Sequence, residues 1–337
     1  MRAPTGRAHG LAHVLDWAVA RGARREKLLA RVALDPELLA DGEARIPLAA
    51  YHAGIEAAVD ELGDPFLGLH YIETVDPSAL GALGFLALAS PTAGDALARI
   101  FRYHAWLAEG DVFALEVVGG EARFRYAPFG SPRPAHGQCA EMYAADCFLG
   151  LVRATGAPIQ ALCLRFPHAP HGPLGEYRRL LGAVPEFGAP RCEWSFAASV
   201  LDRPMRAADP ALARFLEAQV AARARGFASA GPLAERARRA LADALPDVLT
   251  VAALAGKLRT SARSLQRQLA AEGTSVGALA LELRRARAEA YLAMGLPIAE
   301  VSYLVGFAEP SVFHRAFKRW TGETAAAYRA RSRGKQG

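Results

Sequence analysis

Ser311, His314, Arg315, Lys318 and Arg319 recur at intervals that, on a helix turning by roughly 100° per residue, gather them on one face. That face carries a hydroxyl, an imidazole, two guanidinium groups and an ammonium group, and no carboxylate. The set suits a nucleic-acid duplex, where Ser and Arg reach base edges and Lys and Arg neutralise phosphates. A comparable group stands upstream, where Arg263, Gln266 and Arg267 share the polar side of another amphipathic stretch.

Other chemistry has no such grouping. His168 and His171 have HxxH spacing, but they lie between prolines without a third Cys, Asp or Glu at ligand spacing nearby, so no metal set is expected. The GxSxG, Walker A and GxGxxG fingerprints are absent, which leaves catalysis without a visible carrier and predicts no cofactor. Cys139, Cys147, Cys163 and Cys192 contain no CxxC pair and are expected as buried free thiols. Tyr103, His104 and Trp106, near the end of a predicted helix, are expected in the core, with a pocket wall as the alternative.

The elements that must position the basic faces repeat. Opposite the polar residues, Val312, Phe313, Ala316, Phe317 and Trp320 form an apolar side. Ahead of it, Pro297 opens a short helix with Ile298, Val301 and Val305 as its stripe, and Gly306 allows a left-handed turn into a helix begun by Glu309 and Pro310. The upstream copy has Thr250 as a helix cap, a turn at Arg259 and Thr260, and Ser261 capping a helix whose Ala262, Leu265 and Leu269 share a face. Two helix-turn-helix units are therefore predicted, over about 250–271 and 297–320. Between them Leu279, Leu283, Ala286, Ala290 and Met294 mark a connecting helix.

Charge follows this division. Residues 231–337 carry seventeen Lys plus Arg against nine Asp plus Glu, whereas the other 230 carry 23 against 25. The whole positive excess sits beside the basic faces, the footprint of a nucleic-acid-binding module. Small and flexible residues at 224–232 predict a linker between a first domain, 1–223, and a second, 233–337.

The first domain reads as mixed. Residues 11–108 are mostly helical; VFALEVVGGEARFRYAP forms a hairpin turning at Gly119 and Gly120; a helix at about 138–155, a strand at 159–166, a helix at 174–181 and short strands at 184–187 and 192–196 follow. The expected fold is an α+β domain with a small, mainly antiparallel sheet, then an all-α domain with two helix-turn-helix units. No apolar run reaches the roughly 18–20 residues of a membrane span. The N-terminus lacks the apolar core of a signal peptide, so a cytoplasmic protein without a membrane partner is expected.

Residues 245–331 resemble the DNA-binding domain of the AraC/XylS family of transcription regulators. The resemblance is carried by Ser261, Leu265, Gln266 and Arg267, then Glu272 and Gly273, then Arg284, Ala288 and Leu292, and finally Ile298, Gly306, Phe307, Phe313, Arg315, Phe317, Lys318, Gly322 and Tyr328. Two positions depart from the family: Arg259 stands for its turn glycine and Ser302 for its alanine. Residues 20–206 resemble the arabinose-binding-like effector domain of the family's ornithine-utilisation and VirS-type branch, through Asp64, Pro65, Gly68 and Leu69, Leu80 to Gly84, Ser90 to Thr92, Ala96, and Phe166 to His168.

The resemblance implies a sequence-specific regulator, more often an activator, that binds double-stranded promoter DNA, responds to a small-molecule effector, dimerises and meets RNA polymerase. It assigns base contacts to Arg263, Gln266, Arg267, Ser311, His314 and Arg315, and phosphate contacts to Ser261, Lys318 and Arg319. The effector-binding residues stay unassigned. Two alternatives remain open: an enzyme, redox or metal sensor targeted to DNA, and an architectural protein of low selectivity.

Overall fold

The computed structural model describes residues 4–75, 77–130, 132–229 and 233–334. Two compact units emerge, Met1–Ala222 and Arg223–Gly337. The first begins with β1 (Thr5–Arg7), α1 (Ala8–Val19), α2 (Arg25–Val32), α3 (Pro36–Ala40), β2 (Arg45–Pro47), α4 (Leu48–Leu62), α5 (Leu67–Thr74), a 3₁₀ turn (Pro77–Leu80), α6 (Ala82–Leu88) and α7 (Ala93–Leu107). The helical reading of 11–108 therefore stands, apart from β2, which pairs antiparallel with β1 from Thr5↔Pro47 to Arg7↔Arg45. Strands of three residues are too short to show an alternation in sequence.

Then come β3 (Val112–Val118) and β4 (Glu121–Ala127), joined by Gly119 and Gly120 at φ 60° and 80°. Two positive-φ residues make the turn whose twist matches a hairpin, and glycine adopts it at little cost. Next are α8 (Pro134–Ala145), a π-helical turn (Asp146–Gly150), α9 (Leu151–Thr155), β5 (Cys163–Phe166), α10 (Leu174–Leu181), β6 (Glu186–Phe187), β7 (Cys192–Ala197) and α11 (Pro210–Ser229). The five-stranded sheet has the order β3-β4-β7-β5-β6, antiparallel throughout except for β5 with β6. Side chains alternate across it: Phe124, Tyr126, Trp194 and Phe196 are buried in the core, while Arg125 and Glu193 pair with each other at 2.8 Å.

Four expectations need correction here. The strand expected from 159 begins at Cys163 and the one expected from 184 at Glu186, where the paired register starts. The helix expected from 138 begins at Pro134, where proline suits a first turn. The linker expected at 224–232 is helical as far as Ser229, since α11 runs on without a break; 230–232 lie outside the described residues. Asp209 opens α11, its Oδ1 accepting from the Ala211 and Leu212 amides.

The second unit is all helix: α12 (Leu233–Ala242), α13 (Val251–Lys257), α14 (Ala262–Ala271), α15 (Val276–Ala293), α16 (Ile298–Leu304), α17 (Pro310–Thr321) and α18 (Ala325–Gly334). Leu254, Leu258, Leu265 and Leu269 pack with Leu233, Ala237 and Leu241 of α12 and Leu279 of α15 into one core. Glu272 ties this core to its entry, since its carboxylate accepts from the Leu233 and Ala234 amides at the start of α12 (3.0 and 2.8 Å), where an anion complements the helix dipole.

Candidate nucleic-acid interface and ligand cavity

Each basic face sits on the second helix of a tight helical pair. In the first pair the Thr250 hydroxyl accepts from the Ala253 amide and the Ser261 hydroxyl from the Ser264 amide, both at 3.1 Å, so each helix start is capped. The turn places Arg259 at φ 54°, the left-handed conformation that its departure from glycine makes costly. On α14, Leu265 and Leu269 are fully buried, while Arg263, Gln266 and Arg267 are exposed.

The second pair turns at Gly306, φ 80°. A Cβ there would come within 2.7 Å of the Pro246 carbonyl oxygen, so both conformation and space require glycine. On α17, Phe313, Ala316 and Phe317 are buried, and Phe307 and Trp320 close the aromatic cluster with ring centroids 5.8 Å apart. Ser311, His314, Arg315, Lys318 and Arg319 are all exposed. The Ser311 hydroxyl donates to Glu309 at 3.4 Å, a contact long enough to exchange for another acceptor. Val312, assigned to the apolar side, is instead 40% exposed, because it lies at the edge of the stripe in the first turn.

α15 departs further from its predicted stripe. Leu279 is buried as expected, Ala286 is exposed, and the buried residues of the second half are Ala288 and Leu292. At roughly 100° per residue Leu279 and Ala288 face opposite ways. The helix buries one side against the first helical pair and the other near the second, so no single stripe runs its length.

The first unit holds a cavity of about 530 Å³ walled by α1, α4, α5, α6, α7, α8 and the π turn. Its lining is chiefly apolar, with Leu48, Ile72, Leu97, Ile100 and Met142 among the contributors. His104 belongs to this wall rather than to core packing alone. Polar groups reach it at a few points: Tyr51, Tyr71, Tyr143, His52, Asp111 and Asp146. Asp111 is already engaged, accepting from the Tyr126 hydroxyl and the Phe129 amide at 3.0 and 2.9 Å; burial nonetheless pushes its pKa up to about 6. Asp146 has no hydrogen-bond partner among the described residues, and burial raises its pKa against a partial offset by Arg153. The widened π turn aims it inward, and a side chain at Gly150 would approach its Oδ1 within 2.5 Å. Of the polar groups at the cavity only His104 was singled out from the sequence; the others come from several elements, and no linear spacing marks them.

Comparison with known proteins agrees with this division. Residues 22–205 match the family model described as the arabinose-binding domain of AraC transcription regulator, N-terminal, and residues 254–331 match a helix-turn-helix domain. The chain is 31% identical over 324 residues to the ornithine utilization regulator of Pseudomonas aeruginosa, covering 94% of each protein. It is 30% identical over 322 residues to the transcriptional regulator VirS of Mycobacterium tuberculosis, covering 92% of each. Among solved structures, the transcriptional regulator CdpR of Pseudomonas aeruginosa aligns with a TM-score of 0.44 at 21% identity, over 94% of this chain and 98% of that one. Matched along nearly its whole length and in both units, the chain belongs to the AraC family of DNA-binding transcription regulators.

Proposed function

We propose that the protein is an effector-responsive activator that reads promoter DNA with α14 and α17 in the major groove. Arg263, Gln266 and Arg267 on the first helix and Ser311, His314 and Arg315 on the second serve base edges, where Arg matches guanine O6 and N7 and Gln matches adenine N6 and N7. Ser261, Lys318 and Arg319 serve phosphates. The carrying observation is that all nine side chains are exposed at two helices whose opposite faces are buried. The reading also includes a dimer acting in the cytoplasm, and a contact with RNA polymerase, both suggested by the family.

The effector occupies the cavity in the first unit. Its walls favour a largely apolar molecule, and the unpartnered Asp146 favours one with a hydrogen-bond donor or a cationic group. Binding acts on DNA only if the effector prefers one arrangement of the protein over another, since equal affinity shifts nothing. Selection sequencing of oligonucleotides bound by the full chain tests the DNA reading: enrichment of a motif of two blocks supports it, and absence of enrichment favours an architectural protein. Thermal-shift screening against amines, alcohols, amino acids, fatty acids and sugars tests the cavity, with Asp146→Asn expected to abolish the shift given by a cationic hit.

A further inference from the structure

The third ligand that the HxxH pair lacks in sequence arrives from α8. Glu141 is buried on α8, and its Oε1 stands 3.7 Å from Nε2 of both His168 and His171. The two imidazole rings stack with centroids 4.6 Å apart, and the three candidate atoms all lie within 4.8 Å of one another. Tetrahedral ligands about 2.0–2.1 Å from zinc sit about 3.4 Å apart, close to the two 3.7 Å edges.

Three further observations point at a ligand. Glu141 is fully buried, and its Oε2 and both Nε2 atoms have no hydrogen-bond partner among the described residues. Leaving two imidazole nitrogens and the second oxygen of the neighbouring carboxylate unsatisfied is costly unless something bridges them. The surroundings also fix the free valences: His168 Nδ1 donates to the Ala169 carbonyl at 2.8 Å, which leaves its Nε2 lone pair unprotonated. Tyr177 donates its hydroxyl to Glu141 Oε1 at 2.7 Å and accepts from the His171 amide at 3.0 Å, holding carboxylate and loop together. Finally, a Cβ at Gly137, one turn before Glu141, would meet His171 Nε2 at 2.9 Å and His168 Cδ2 at 3.1 Å, so only glycine leaves room for the rings. Both histidine side chains remain 20% exposed, which provides an entry path.

We infer that Glu141, His168 and His171 bind a divalent late first-row cation of the zinc class, with a fourth position left to water. Two nitrogens and one carboxylate oxygen fit such an ion better than magnesium or calcium, which take oxygen ligands. The ion pins the loop after β5 onto α8, whose other residues Cys139, Met142 and Tyr143 wall the cavity. It therefore stabilises the effector-binding unit.

The test uses the full chain stripped with a chelator and titrated with zinc against a chromophoric competitor. One equivalent is expected to bind and to raise the melting temperature, with affinity falling at least tenfold in each of Glu141→Gln, His168→Asn and His171→Asn. Cobalt added to the unmodified chain is expected to show the intense visible bands of a four-coordinate ion, a readout that does not depend on any variant folding. No zinc uptake, only the pale spectrum of hydrated cobalt, or uptake lost on His9→Gln and kept in His168→Asn would each overturn the site.

Discussion

Ser302 buries its hydroxyl in α16 without a hydrogen-bond partner among the described residues. An unmade bond of this kind costs about 1–3 kcal/mol, so Ser302→Ala is expected to raise stability by about 1 kcal/mol or more, read from the urea midpoint. Arg259 is the other departure. Glycine there relieves about 1–2 kcal/mol of left-handed strain and adds roughly 0.5–1 kcal/mol of unfolded-state freedom, so Arg259→Gly should gain up to about 1 kcal/mol. On the faces proposed to read DNA, Arg315→Ala is expected to cost about 1–3 kcal/mol and relax preference at one base pair, whereas Lys318→Ala weakens all sequences alike and lowers the salt slope by about 1; selection sequencing and titrations at several salt concentrations separate them. In the first unit, His70 lies between Asp64 and Glu176, 2.8 Å from each. Burial pulls its pKa down, but those two hydrogen bonds outweigh it and hold the pKa above the ordinary imidazole value. A raised folded value means stability that is full below about pH 6.5 and lost as pH rises through the folded pKa. The stability gap between the natural chain and His70→Gln should therefore narrow as pH rises through that window, and an NMR titration should show Glu176→Gln lowering the His70 pKa.

Helices with one buried face were legible in the sequence, and helices serving two neighbours were not. α14 and α17 each present a single stripe, so Leu265, Leu269, Phe313 and Phe317 could be read from period alone. Truncating such a residue leaves a cavity: Phe317→Ala is expected to cost about 3–5 kcal/mol, measured by chemical denaturation, and to abolish DNA binding by α17. α15 defeated the same reasoning because its two ends are buried on opposite sides. The π turn at Asp146–Gly150 has no periodic signature either, and with it the inward carboxylate of the cavity went unread. Glu141 is separated from His168 by the end of α8, the π turn, α9, a loop and β5, so only the fold brings carboxylate and imidazoles together. The hairpin was legible because a Gly-Gly pair has few other uses between alternating runs.

For the molecule as a whole, charge divides as function does: the net positive excess belongs to residues 231–337, and the remainder is slightly acidic. An acidic effector unit does not compete for phosphates, so DNA affinity is expected to fall steeply with salt while effector affinity changes little. α15 is continuous over 18 residues, about 27 Å, and is anchored at both ends by buried side chains. Such a rod transmits angle as well as distance. One residue inserted at its exposed middle would rotate one helical pair against the other by roughly 100° while leaving each pair intact, whereas four would restore the phase to within about 40° and lengthen the span by about 6 Å. Operator affinity across that insertion series should oscillate with the pitch of the protein helix, like a key whose teeth are cut correctly but indexed wrongly on the shaft.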